Sequence, residues 1–329
     1  MRAVAIDRFG GPEVLVARDV EVPEPGPGEA RVRVVRAGVN YIDVYMRTGV
    51  YARSQTYHTP LPMLLGMEGA GTVDAVGAGV EGFAAGQRVA WCIVRGAYAE
   101  YAVVPAWRLV AIPEAVSFDV ACALMLQGST AHYLTRSAWR VRAGDVCLVH
   151  AGAGGVGQLL IQLAKLRGAT VIATVGNAEK AAIARACGAN DTILYREVAF
   201  RDEVMRITNG RGADVVYDSV GRDTVHASIR SLRKRGLCVM FGASSGQVDA
   251  IAPLELAEAG SVYFTRPHLA DYMQDATEIR GRAQDLFGAL AGGNLRVTVD
   301  RVFPLADAAD AHRALEARAS RGKLLLAVP

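Results

Sequence analysis

Lysine is scarce in this sequence. Of 36 basic residues only Lys165, Lys180, Lys234 and Lys323 are lysines, so each stands out against a background of arginine. Paired cysteine is missing too. Cys92, Cys122, Cys147, Cys187 and Cys238 are odd in number and scattered, with no CxxC pair, which excludes a disulfide scaffold or a zinc knuckle. No apolar run approaches the roughly 18–20 residues of a membrane helix. Asp7 interrupts the apolar start too early for a signal peptide. Charge of one sign is also absent: 36 basic against 33 acidic residues leave +3, which makes no nucleic-acid footprint without a concentrated basic face. A reduced, cytoplasmic protein is expected. With 51% hydrophobic residues in 329, bulk disorder is excluded, and about two domains of roughly 150 residues are expected.

What is abundant is glycine, at 35 residues. Up to about residue 110 the chain reads as short β segments, at 30–37, 69–76 and 88–91, separated by Gly and Pro. Helical patterning begins near Phe118, with Ser117 as its N-cap. From Asp145 strands and helices alternate. Strands are expected at 145–150, 170–175, 214–217 and 237–241, with helices at 156–167, 178–186 and 223–233 between them. That alternation predicts a parallel, doubly wound sheet. A helix-rich tail follows residue 265, ending in a strand at 323–327.

Gly152, Gly154 and Gly157 fit GxGxxG between the first of these strands and the first helix. One glycine permits the turn, the next admits a pyrophosphate to the backbone, and the third lets helix and strand pack closely. The helix N-terminus then offers free N–H groups and a positive dipole to the anion. A dinucleotide site is predicted. Binders of NAD usually carry an acid about 20 residues after the first glycine. Here the second strand ends in Val175-Gly176-Asn177, with Lys180 within the next helical turn. A carboxylate repels a 2′-phosphate and an ammonium attracts it, so NADPH is the expected cofactor.

Together with the glycine loop, four further motifs carry a resemblance. They are residues 37–43 (Ala-Gly-Val-Asn-Tyr-Ile-Asp), 66–71 (Gly-Met-Glu-Gly-Ala-Gly), 216–221 (Val-Tyr-Asp-Ser-Val-Gly) and 241–246 (Phe-Gly-Ala-Ser-Ser-Gly). The chain resembles the zinc-free quinone oxidoreductase (ζ-crystallin-like) branch of the medium-chain dehydrogenase/reductase superfamily. The resemblance implies an α/β fold: a Rossmann doubly wound parallel sheet inserted in a mainly β, GroES-like, partly barrel catalytic domain. Residues 1–122 and 268–329 would form the catalytic domain and 123–267 the NADP(H)-binding domain, with the active site in the cleft. It also implies a homodimer joined by Rossmann edge strands, with residues 261–265 as the candidate edge. The reaction would be NADPH-dependent reduction of a quinone or a related electron-poor unsaturated carbonyl.

The resemblance places Asn40 and Tyr45 at the nicotinamide end, with Tyr51 and Arg266 as neighbours able to donate a hydrogen bond to the acceptor oxygen. Gln127 and Thr130 would touch the nicotinamide region. Gly152, Gly154, Gly155, Val156 and Gly157, with Ser219, Val220, Phe241 and Ser244, would line the cofactor. Gly176, Asn177, Lys180, Tyr195 and Arg318 would surround the 2′-phosphate. No metal is expected. Positions that bring Cys and His to zinc in the alcohol dehydrogenases hold Asn40 and Met67 here, and His58, His132, His150, His226, His268 and His312 show no close pairing. Two alternatives remain: an NADPH-dependent enone or alkenal reductase, and a non-catalytic NADPH-binding structural or RNA-binding protein. The basic run at Arg230, Arg233, Lys234 and Arg235 reads as a solvated helix end. Met63, Met67, Trp91 and Trp107 read as core, and His150 as a satisfied structural histidine.

Overall fold

The computed structural model describes residues 1–57 and 59–329, so His58 lies outside the described residues. Two compact units emerge: residues 1–126, 273–287 and 297–329 form one, and residues 127–272 and 288–296 form the other. The first is therefore interrupted in sequence by the second.

In the first unit the central strand is Glu29–Val39. Its Val32 and Val34 point into the core while Arg31 and Arg33 do not, the period-two pattern of a half-buried strand. It pairs antiparallel with Glu68–Val76 through residues 30–37. It also pairs with Tyr101–Pro105 through residues 29–33 and with Lys323–Ala327 through residues 36–39. Register shifts fall within the pairing to Glu68–Val76, and such bulges bend a strand. One long, bent strand with staggered partners curls the seven-stranded sheet toward a barrel. A smaller sheet orders Val16–Asp19, Arg2–Ile6 and Met63–Leu64.

The second unit is a six-stranded parallel sheet. Its order is Asp191–Leu194, Thr170–Val175, Val146–Val149, Ala213–Asp218, Leu232–Met240 and Tyr263–Thr265. This is the doubly wound order in which direction reverses beside the first strand, and ligands bind at the carboxyl ends there. The central strands are buried because helices cover them. Leu148, Ile172, Ile193 and Val216 pack with Val204 of helix Phe200–Ile207 and Ile229 of helix Val225–Arg230.

Most elements lie where periodicity puts them: Ala178–Ala186 matches its expected bounds, and the Ser117 hydroxyl caps Val120 N–H at 3.3 Å. The expected helix at 223–233 is shorter, spanning Val225–Arg230, because Leu232 already begins a strand. The basic run thus belongs partly to a strand, where Arg233 binds the buried Asp214 carboxylate at 2.5 Å instead of facing only solvent. Trp107 is also corrected. It is 37% exposed, with the Arg108 guanidinium 4.2 Å from its ring centre.

Candidate functional site

The dinucleotide loop of the second unit follows strand Val146–Val149. Helix Gly155–Leu166 opens from Gly154 at its N-cap. A Cβ at Gly157 would overlap the Ala151 carbonyl and approach Gly152 Cα to 2.9 Å, so the third glycine is required by close packing. A Cβ at Gly155 would run into the Gln127 side-chain amide, which brings Gln127 onto the helix N-terminus. Thr130 is buried on helix Ser129–Tyr133.

The other loops converge through hydrogen bonds. Phe241 N–H donates to Asp218 O at 2.8 Å, and Ser244 N–H to Ser219 O at 3.2 Å. Asp218 is fully buried and accepts from Val220 N–H, Gly221 N–H, Thr224 Oγ1 and Ser228 Oγ at 2.7–3.0 Å. Because Ser228 gives its only proton to Asp218, it must accept from His150 Nε2, 2.9 Å away. His150 Nδ1 then accepts from Thr174 Oγ1 at 2.8 Å. Burial lowers the pKa of this ring, in keeping with a neutral imidazole. The chain Thr174–His150–Ser228–Asp218 thus ties together the ends of three neighbouring strands beneath the glycine loop. His150 is satisfied, as expected.

At the end of strand Thr170–Val175, Asn177 Oδ1 caps helix Ala178–Ala186 by accepting from Lys180 N–H at 2.9 Å. Gly176 is open. A Cβ there would lie 3.3 Å from Tyr195 Oη and 3.7 Å from Arg196 Nε. A phenol and a guanidinium thus lie beside the strand end, and the helix that follows carries Glu179 and Lys180 in its first turn. Arg196 was missed in the sequence. Its adjacency to Tyr195 was the available signal.

In the first unit, Asn40 caps helix Tyr41–Arg47 and is 4% exposed. Its Nδ2 donates to Glu68 Oε2 at 2.8 Å, and its Oδ1 accepts from Lys323 Nζ at 2.6 Å. Lys323 also bonds Glu68 directly, and Leu126 N–H holds the other carboxylate oxygen at 2.5 Å. Glu68 and Lys323 are fully buried, so removing one charge alone would cost about 3–5 kcal/mol. Gly38 makes room for the pair, since a Cβ there would overlap Glu68 and come within 2.9 Å of Lys323 Nζ. Asp43 ties the turn, accepting from Asn40 N–H at 2.9 Å and Met67 N–H at 3.0 Å. Burial pushes its carboxyl up to about 7. Lys323 was not anticipated, although its rarity and its place before Leu324, Leu325 and Leu326 were visible.

These residues do not fit a zinc site. Asn40 and Glu68 already share an ammonium, and among the described residues no three His, Cys, Asp or Glu converge as metal ligands.

Tyr45 and Tyr51 come together in an aromatic run. Ring centres of Tyr41, Tyr45, Tyr51 and Tyr57 are spaced 6.0, 5.5 and 5.1 Å apart. Arg266 is in the second unit, after edge strand Tyr263–Thr265, and donates to Pro267 O at 3.0 Å. Arg318 is in the first unit, just past helix Ala308–Glu316, with φ of 54°.

Sequence and structural relatives show the family. Residues 26–114 match the alcohol dehydrogenase GroES-like domain and residues 155–278 the zinc-binding dehydrogenase family. A quinone oxidoreductase of Pseudomonas aeruginosa is 43% identical, over 97% of this chain and 97% of its own. The chain belongs to the medium-chain dehydrogenase/reductase superfamily, in its quinone oxidoreductase branch. A 2-haloacrylate reductase of Burkholderia is 40% identical over 98% of both chains. The crystal structure of Escherichia coli quinone oxidoreductase complexed with NADPH superposes with a TM-score of 0.96 at 40% identity, covering 99% of this chain and 100% of that one. No helix is long and apolar enough to cross a membrane among the described residues.

Proposed function

We propose that this protein reduces quinones with NADPH and without zinc. The observation that carries the reading is the end of strand Thr170–Val175. Gly176 and Asn177 stand there in place of an acid, Tyr195 and Arg196 lie beside Gly176, and Lys180 follows Glu179 in the first helical turn. A phosphate monoester carries about −1.5 to −2 charges at pH 7. Tyr195, Arg196 and Lys180 supply the matching donors, and Arg318 is added to them by the family resemblance. Gly152, Gly154, Gly155, Val156 and Gly157 would hold the pyrophosphate at the helix N-terminus, with Ser219, Val220, Phe241 and Ser244 on the neighbouring loops. Gln127 and Thr130 would bound the nicotinamide end.

When bound, the reduced nicotinamide supplies the hydride. The chain's own task is to bind, orient and exclude water. Asn40, Tyr45, Tyr51 and Arg266 are the proposed donors and walls for the acceptor, whose oxygen gains negative charge as it is reduced.

An enone or alkenal reductase is the second reading, favoured by the similarity to a 2-haloacrylate reductase. A panel of benzoquinones, naphthoquinones, short enones and unsaturated carboxylates with NADPH decides between them. Quinones should be reduced fastest, and metal chelators should leave the rate unchanged. Activity only with enones would establish the second reading. Loss of activity together with one bound zinc per chain would contradict the metal-free account.

A further inference from the structure

We infer that Lys323 is a positioning residue that fixes the orientation of Asn40 as a hydrogen-bond donor to the acceptor. The inference rests on the proposed reading in which Asn40 donates to the acceptor oxygen. Lys323 touches neither substrate nor cofactor in it.

The amide of Asn40 is held at both ends. Its carbonyl oxygen accepts from an ammonium and its nitrogen donates to a carboxylate. Turning the amide over would set NH2 against the Lys323 N–H groups and C=O against the Glu68 oxygen, two repulsive pairs in a fully buried place. The orientation is therefore fixed. One N–H is committed to Glu68 and the other is left to donate elsewhere. The ammonium on the carbonyl side and the carboxylate on the nitrogen side together hold the second N–H in one direction, and the two hydrogen bonds reinforce one another in doing so. The position of the cation is built by the fold. Leu324 pairs with Val39, so Lys323 comes opposite Asn40 across antiparallel strands. Gly38 leaves the space empty of side chain. A buried charge costs free energy unless paired, and Glu68 is the pair for Lys323.

Substituting Lys323 alone strands the Glu68 carboxylate, so the test uses E68Q/K323M, which removes both charges together. In this variant kcat/KM for 1,4-benzoquinone should fall at least about tenfold, the worth of one charge-assisted hydrogen bond. NADPH affinity by fluorescence should stay within about twofold. The loss should be larger for acceptors of lower reduction potential, because they depend more on stabilisation of the developing oxyanion. Adding N40A should then cost less than about twofold more, although N40A alone costs tenfold, as expected when one residue acts through the other. The 15N–1H resonances of the Asn40 side-chain amide should move toward free-amide positions in E68Q/K323M. Independent, additive losses would overturn the inference, as would an equal loss for every acceptor or unmoved Asn40 resonances in a folded variant. Failure of the unmodified protein to oxidise NADPH with any acceptor would instead remove the functional reading on which it rests.

Discussion

Tyr45 is half-buried between Tyr41 and Tyr51, so its ring supports two neighbours. Aromatic pairs of this kind contribute about 0.5–1.5 kcal/mol each. Tyr45→Ala should lower kcat/KM for quinone by about three- to tenfold and change NADPH affinity much less. Tyr45→Phe separates ring from hydroxyl. Unchanged quinone kinetics in a folded Tyr45→Ala variant would return the residue to packing. Among single residues, the glycines, Asn40 and the lack of an acid at the end of strand Thr170–Val175 stood out along the chain. Partnerships did not. Nothing along the chain says that Lys323 meets Asn40, since 283 positions separate them and only strand pairing joins them. Arg196 was passed over for a similar reason, because its role depends on the space left by Gly176.

At the scale of elements, helices Tyr41–Arg47 and Ala308–Glu316 are cross-linked by buried Arg47, which grips the Glu316 carboxylate at 2.8 and 2.9 Å and donates to His312 Nδ1 at 3.1 Å. Burial, and then the Arg47 charge, push His312 from 6.5 down to about 3. A folded value below the unfolded one means that this contribution is present above pH 6.5 and is lost as pH falls toward 3. Asp43, on the first of these helices, runs the other way. Burial raises it from 3.8 to about 7, so its stabilising term is present in acid and is lost as pH rises through that range. Each slope is at most about 1.4 kcal/mol per pH unit, and between pH 4 and 6.5 the two oppose. His312→Gln should therefore make stability fall less on acidification than in the unmodified protein, and Asp43→Asn should make it fall more. Buried His150 adds the same acid-side loss to all three proteins, so the comparison is between them. Urea midpoints at pH 4.5, 5.5 and 6.5 would measure it, and parallel profiles would contradict the assignment. Of the elements, long periodic helices were readable. The four-residue strand Asp191–Leu194 is too short to carry a pattern. Helix Phe200–Ile207 did have a signal, in Phe200, Val204 and Ile207 at helical spacing.

At the scale of the molecule, the order of motifs along the chain foretold the inserted parallel sheet, because GxGxxG followed by alternating strands and helices is a local signal. The return of the C-terminus to the first unit is not local, and it came only with the family resemblance. Strand Tyr263–Thr265 ends the parallel sheet, with Tyr263 62% exposed. An open edge with an exposed aromatic residue is a template for pairing, and the proposed homodimer would use it. Tyr263→Glu combined with Phe264→Pro should shift the protein from two chains to one in light scattering, and an unchanged mass would place the dimer contact elsewhere. The central claim concerns the cofactor, and steady-state quinone reduction with NADPH and with NADH tests it most directly. Each charge-assisted contact to the 2′-phosphate contributes about 1.5–3 kcal/mol when ordered and less at a wet rim. NADPH should therefore be preferred in kcat/KM by at least about tenfold, and Lys180→Ala should erode that preference by raising KM for NADPH while leaving NADH unaffected. Equal use of both cofactors by the unmodified protein would contradict the account.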